Sequence, residues 1–86
     1  MKKLVLTDQA KADLAGLDRV TRLRIAAAIQ RLVQTNAGNI KKLQGVDPPE
    51  YHLRVGDFRV RFSYPDPDTV RINRVQNRKE AYADGG

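Results

Sequence analysis

The stretch that decides the fold is residues 51–62, which read Tyr51-His52-Leu53-Arg54-Val55-Gly56-Asp57-Phe58-Arg59-Val60-Arg61-Phe62. Apolar and polar residues alternate on both sides of a Gly-Asp pair, which is the pattern of two antiparallel strands joined by a tight turn. With this pair as the turn, Val55 lies opposite Phe58 and the pairing continues outward from there. The stretch therefore predicts a β-hairpin.

One face of this hairpin is basic. Side chains alternate between the two faces of a strand, so the polar residues share one face and the apolar residues share the buried one. The polar face carries His52, Arg54, Arg59 and Arg61. Arg54 lies opposite Arg59, and like charges in this position cost a few tenths to about 1 kcal/mol. Three arginines on one small patch indicate that an anion binds there.

The segments around the hairpin predict two helices and two further strands. Residues 2–6 are apolar enough for a first strand, and Thr7 and Asp18 are suitable N-cap residues for two helices. The second helix is expected from Arg19 to about Thr35, with apolar residues at helical spacing. Residues 69–75 predict the last strand, in which the alternation slips at Arg74 because of a bulge or a strand end.

The order of these elements predicts the fold class. A β-α-α-β-β-β order is typical of a two-layer α+β fold, with a helical hairpin packed on one face of a small, mostly antiparallel sheet. Residues 41–50 fit neither period and residues 65–68 form a turn by composition, so both segments are expected to be connections. We expect a single domain over residues 1–82 and a flexible tail over residues 83–86.

Composition restricts the classes of function. A chain of 86 residues forms one small domain. With 16 Lys and Arg against 10 Asp and Glu, its net charge of +6 favours a nucleic acid, an acidic protein or an anionic surface as partner, although it also serves solubility. One histidine and no cysteine exclude a disulfide framework and a structural zinc site, and we expect no metal and no cofactor. Since no apolar run approaches the roughly 20 residues of a membrane span, we expect a cytoplasmic protein.

Three segments of the chain resemble the RelE/ParE superfamily of bacterial toxins. They are Leu43-Gln44-Gly45, the hairpin over residues 51–60, and Arg74-Val75-Gln76-Asn77-Arg78-Lys79-Glu80-Ala81-Tyr82. The length and the order of elements also match, so the likeness covers nearly the whole chain. In the third segment Gln76 and Asn77 stand where members commonly carry glycine and histidine.

The resemblance implies two activities on one fold. Its RelE-like branch cleaves mRNA in the A site of the 70S ribosome, through attack of a ribose 2′-OH on the adjacent phosphorus. Its ParE-like branch inhibits DNA gyrase without nuclease activity. In both branches the resemblance implies a cognate antitoxin protein as partner. We favour the ribonuclease, and a gyrase inhibitor or a degenerate toxin that only binds its antitoxin are the alternatives.

The resemblance also implies a set of catalytic residues. It places Arg54, Arg59 and Arg78 at basic positions, where a guanidinium can hold a phosphate bidentately and stabilise its growing charge without a metal. His52 stands where several ribonuclease members carry lysine, and its titration near neutral pH suits a general base. Tyr82 stacks on a base or transfers a proton, so the identity of the general base stays open.

Further cations are expected to contact RNA. These are Arg61, Arg71 and Lys79. Each of the selected residues also has a simpler interpretation, since the arginines can be hydrated surface charges, His52 a surface histidine, and Tyr82 a packing residue.

Overall fold

The computed structural model describes residues 2–78. Its elements are β1 (Lys3–Leu6), α1 (Asp8–Ala15), α2 (Arg19–Thr35), β2 (Ile40–Lys42), β3 (Tyr51–Val55), β4 (Phe58–Asp66) and β5 (Thr69–Asn77). The strands form one five-stranded sheet in the order β1-β5-β4-β3-β2. β1 runs parallel to β5, and the other pairings are antiparallel. The predicted α+β fold is therefore confirmed. Among residues 2–78, no helix has the length and hydropathy needed to cross a bilayer.

Both helices begin at the predicted capping residues. The Thr7 hydroxyl accepts a hydrogen bond from the Ala10 amide at 3.1 Å, and the Asp18 carboxylate accepts one from the Thr21 amide at 3.2 Å. These bonds satisfy backbone donors that have no partner within a first helical turn. α2 ends at Asn36, which has a left-handed φ of 55°. Asparagine tolerates this conformation, so the chain can turn sharply toward the sheet.

α2 and the sheet enclose the core. The buried side chains of the helix meet those of β3, β4 and β5, and the central members are Ile25, Ile29, Leu32, Val33, Leu53, Val60, Phe62, Val70, Ile72 and Val75. Full burial of a side chain of this size contributes about 1.5–3 kcal/mol. This layer holds the helices on one face of the sheet and leaves the opposite face for the polar residues.

The β3–β4 hairpin has the predicted register. Val55 lies opposite Phe58, and Arg54 lies opposite Arg59. Gly56 supplies the turn with a φ of 58°, in the left-handed region that glycine adopts without strain.

Two boundaries differ from the prediction. Residues 40–42 form the edge strand β2, although residues 41 and 42 were predicted to belong to a connection. Three residues are too few to display an alternating pattern. The turn predicted at residues 65–68 is shorter, since β4 continues to Asp66 and that residue pairs with Thr69. The Asp66 carboxylate accepts hydrogen bonds from the Asp68 amide and the Thr69 hydroxyl, which stabilise this tighter turn.

A bulge in β5 explains the slip in its alternation. Arg61 of β4 lies opposite Arg74. The next residue of β4, Phe62, lies opposite Ile72, so Asn73 is the extra residue of β5. Such an insertion reverses the faces of the residues that follow it. Val75 consequently enters the core, where it is 4% exposed.

Asp13 of α1 stabilises the bulge from the helical layer. One oxygen of its carboxylate accepts hydrogen bonds from the Val75 amide and from the Arg74 Nε, each at 2.9 Å. Burial raises the pKa of Asp13, but the bonds from Val75, Arg74 and Gln9 outweigh it, so the pKa lies below its ordinary value. The ionised carboxylate is therefore part of the folded structure.

We expect Asp13→Ala to lower the free energy of unfolding by about 1–3 kcal/mol, because the Val75 amide loses its acceptor. Urea denaturation measures this change, with the exposed Asp68→Ala as control. A group with a lowered native pKa stabilises the fold above its unfolded pKa, and that contribution disappears as the pH falls through the native pKa. The difference between wild type and Asp13→Ala should therefore shrink below about pH 4. Equal urea midpoints at neutral pH would contradict this role.

Candidate nucleic-acid interface

A groove lies on the face of the sheet that the helices leave uncovered. Its volume is about 510 Å³. Its walls come from β2, the segment after β2, and the β3–β4 hairpin, and the lining residues are Asn39, Lys41, Lys42, Leu43, Gln44, His52, Arg54 and Arg59. The predicted basic face thus forms one wall of a concave surface.

Strand pairing arranges the polar side chains of this face in two rows. In the first row, Lys41 of β2 lies opposite His52 of β3, which lies opposite Arg61 of β4. In the second row, Arg54 lies opposite Arg59, which lies opposite Gln76 of β5. Residues directly opposite each other have Cβ atoms about 4.5–5.5 Å apart. Each row therefore forms a band of polar groups across the sheet.

Arg78, the third arginine that was predicted to be catalytic, lies at the same end of the sheet as the second row. The Arg78 amide donates a hydrogen bond to the Asp57 carbonyl at 2.7 Å, so its backbone lies beside the hairpin turn. The structure thus brings Arg54, Arg59 and Arg78 to the same end of the sheet. Tyr82 and Lys79 lie outside the described residues, and their roles stay predictions.

A carboxylate occupies one end of the first row. Glu50 accepts hydrogen bonds from Arg61, at 2.7 Å from Nε and 3.4 Å from Nη2, and a third from the Asn73 side-chain amide at 3.3 Å. The side chains of Arg61 and Glu50 are 38% and 21% exposed. This carboxylate therefore neutralises the first row at its Arg61 end.

Arg71 has partners within the same polar network. Its guanidinium donates to the Asn73 side-chain oxygen at 3.1 Å and to the Ser63 hydroxyl at 3.3 Å. Arg61 and Arg71, both predicted to contact RNA, are thus held by groups of the protein itself. Their contact with RNA stays a prediction.

His52 is held in its neutral form. Its pKa lies below the ordinary value, first because the ring is partly buried and then because Arg59 and Arg61 carry like charge. Glu50 acts in the opposite direction, and Lys41 adds a smaller lowering effect. At neutral pH the imidazole therefore has a nitrogen lone pair available to accept a proton.

The site combines positive charge with a proton acceptor. Within residues 2–78 no three side chains from His, Asp and Glu come close enough together to hold a metal ion. The arginines of the groove can bind a phosphate, and the imidazole of His52 can accept a proton. Lys41 was not predicted as a member of the groove, because the three residues of β2 show no period in the sequence.

The comparisons with known proteins identify the family. The family model for the ParE toxin of type II toxin–antitoxin systems, parDE, matches residues 4–82. The chain therefore belongs to this toxin family, and the RelE/ParE resemblance is confirmed. The curated proteins give no significant sequence match.

Solved structures of RelE toxins have the same fold. The RelB–RelE antitoxin–toxin complex from Methanococcus jannaschii is 26% identical with a TM-score of 0.78, over 95% of this chain and 99% of that chain. The isolated E. coli RelE toxin is 18% identical with a TM-score of 0.76, over 99% and 95%. The intact E. coli RelBE complex is 14% identical with a TM-score of 0.73, over 90% and 96%. The two E. coli structures are evidence for the fold alone.

We expect the pKa of His52, measured by NMR from its ring protons, to lie below about 6.5. Because the chain contains one histidine, the signal needs no assignment by mutation. Arg59→Gln removes a like charge and should raise this pKa, whereas Arg31→Gln on the exposed side of α2 should leave it unchanged. A wild-type pKa above the ordinary value would contradict the predicted neutral state.

Proposed function

We propose that this toxin is an endoribonuclease that cleaves mRNA on the ribosome without a metal ion. The observation that carries the proposal is the position of His52, which lines a groove together with Arg54 and Arg59 and whose neutral form is favoured. Attack of a ribose 2′-OH on the adjacent phosphorus needs a base for the hydroxyl proton and positive charge for the phosphate oxygens. The groove supplies both.

The arginines are suited to the phosphate. Arg54 and Arg59 are fixed by strand pairing, and Arg78 follows β5 at the same end of the sheet. A guanidinium binds phosphate through a planar fork and keeps its charge at every working pH. Charge that is in position before the reaction stabilises the transition state without reorganisation. The mutual repulsion of Arg54 and Arg59 is relieved when an anion binds between them.

The proton movements follow from the reaction. As the bond between the 2′-oxygen and phosphorus forms, His52 accepts the hydroxyl proton, and the bond from phosphorus to the 5′-oxygen breaks. The products are a 2′,3′-cyclic phosphate and a 5′-oxygen that takes up a proton. Tyr82, by the family resemblance, donates this proton, stacks on a base, or replaces His52 as the base. Arg61, Arg71 and Lys79 are proposed as flanking contacts to the RNA.

We propose an antitoxin protein as the cellular partner. Solved relatives with this fold include RelB–RelE antitoxin–toxin complexes, which supports this assignment. The net charge of +6 and the uncovered basic face favour an acidic antitoxin segment. Because the proposed substrate is ribosome-bound mRNA, the proposed site of action is the cytoplasm.

One observation favours a different target. The family model that matches the chain is that of the ParE toxin, and the ParE-like branch inhibits DNA gyrase. An inhibitor of this kind needs a docking surface but no general base. The two candidate functions therefore differ in whether His52 is required.

We expect induced expression without antitoxin to stop growth and to produce new mRNA 5′ ends within reading frames, with no effect on DNA supercoiling by gyrase. Arg59→Ala should abolish both effects, because it removes a charge-assisted phosphate contact. Arg31→Ala, which removes the same charge from the exposed side of α2, is the control, and circular dichroism checks that both variants fold. Inhibition of gyrase with no new 5′ ends would establish the alternative, and full toxicity of Arg59→Ala would exclude Arg59 from the mechanism.

We expect His52→Gln to slow single-turnover cleavage by about 10²- to 10⁴-fold while ribosome binding is nearly unchanged, since general-base catalysis has this magnitude. The wild-type rate should fall as the pH drops through the lowered pKa of His52 and become constant above it. Tyr82→Phe is the companion variant, because it keeps an aromatic ring and loses only the hydroxyl. If His52→Gln cleaves at the wild-type rate while Tyr82→Phe is strongly impaired, Tyr82 is the base.

A further inference from the structure

Lys41 lines the groove and lies outside the three segments that carry the family resemblance. It lies on the edge strand β2 directly opposite His52, and its side chain is exposed. The neighbouring residue Ile40 lies opposite Leu53 and packs against the core. Since side chains alternate along a strand, the burial of Ile40 places Lys41 on the uncovered face. It lines the groove together with His52 and Arg59.

Lys41 and Arg61 flank His52 in the first row, and they differ in how easily an incoming anion can reach them. Arg61 is bound by both oxygens of Glu50, and an anion that approached it would have to displace this carboxylate. Neither of the ion pairs found among residues 2–78 involves Lys41. The ammonium group of Lys41 is therefore the cation of the first row that an incoming phosphate can reach.

The spacing of the two rows matches an extended polynucleotide. His52 and Arg54 are two residues apart on β3, so the rows are about 7 Å apart. One nucleotide of an extended single strand covers this distance. With one phosphate between the arginines of the second row, the next phosphate along the strand reaches the first row, and the ribose between them lies close to His52.

We propose that Lys41 binds the phosphate on the 5′ side of the scissile one and thereby places the intervening ribose, which carries the attacking 2′-OH, against His52. Lys41 is thus a substrate-binding residue of the toxin, and the substrate is single-stranded RNA in an extended form. This inference rests on the proposed ribonuclease function for the identity of the anion. Lys41 and His52 then have different roles in the first row. The ammonium group of Lys41 binds the phosphate, and the neutral imidazole of His52 accepts the proton.

The test measures binding without cleavage. The probe is a short, fully 2′-O-methylated RNA, which contains no 2′-OH to attack, and its affinity is measured by fluorescence anisotropy at several salt concentrations. We expect Lys41→Met to weaken binding about fivefold, in the range for loss of one typical solvent-exposed hydrogen bond. The logarithm of the association constant decreases with the logarithm of the salt concentration, and this negative slope should become less steep by about 0.7. This is the value for one phosphate contact on a single strand.

Two matched variants complete the test. Lys3→Met removes the same charge from β1 at the opposite edge of the sheet and should change the affinity less than twofold. Lys41→Arg retains a cation and should bind nearly as the wild type does. In NMR titrations without RNA, Lys41→Met should raise the pKa of His52 and Lys3→Met should not.

If Lys41→Met and Lys3→Met bind the probe equally and leave the same salt slope, the inference is overturned. If Lys41→Met shows the expected losses while the wild-type toxin cleaves no mRNA on ribosomes, Lys41 remains an RNA-binding residue and the proposed nuclease function fails. The two hypotheses are thus tested by separate measurements.

Discussion

The pairing register of β3 and β4 is the constraint on which the rest of the structure depends. Leu53, Val60 and Phe62 are at most 2% exposed, and they share one face of the hairpin. Because the side-chain period of a strand is two, a slip of one residue would turn this set toward solvent. Burial of each contributes about 1.5–3 kcal/mol, so a slip would cost several kcal/mol. It would also bury the arginines of the opposite face without partners, which is more costly still.

The same register concentrates positive charge on the uncovered face. Arg54 lies opposite Arg59, and like charges in this position repel each other by up to about 1 kcal/mol. Glu50 offsets part of the charge in the first row through its bonds to Arg61. The second row has a polar amide, Gln76, at its β5 end. Two arginines from neighbouring strands thus lie side by side near the hairpin turn, where the proposed phosphate site lies.

The bulge in β5 connects the helical layer to this face. The extra residue, Asn73, reverses the parity of the strand, so that Val75 enters the core and Gln76 lies opposite Arg59. Asp13 stabilises this arrangement from α1 through the Val75 amide. The end of β5 pairs with β4 as far as Asn77. The backbone of Arg78 therefore lies beside the turn of the β3–β4 hairpin. The contact between α1 and β5 thus contributes to the geometry of the proposed active site.

The sequence by itself determined the features that depend on short-range patterns. These are the hairpin and its basic face, the caps at Thr7 and Asp18, and the apolar stripe of α2, because each follows from side-chain periodicity or from bonds between residues three positions apart. Only the tertiary structure decided that β2 exists, that Lys41 lies beside His52, and that Glu50 binds Arg61. β2 is a strand because β3 offers it hydrogen bonds, and three residues carry no period of their own. Glu50 binds the arginine that strand pairing places within its reach, and that distance is set by the folded sheet.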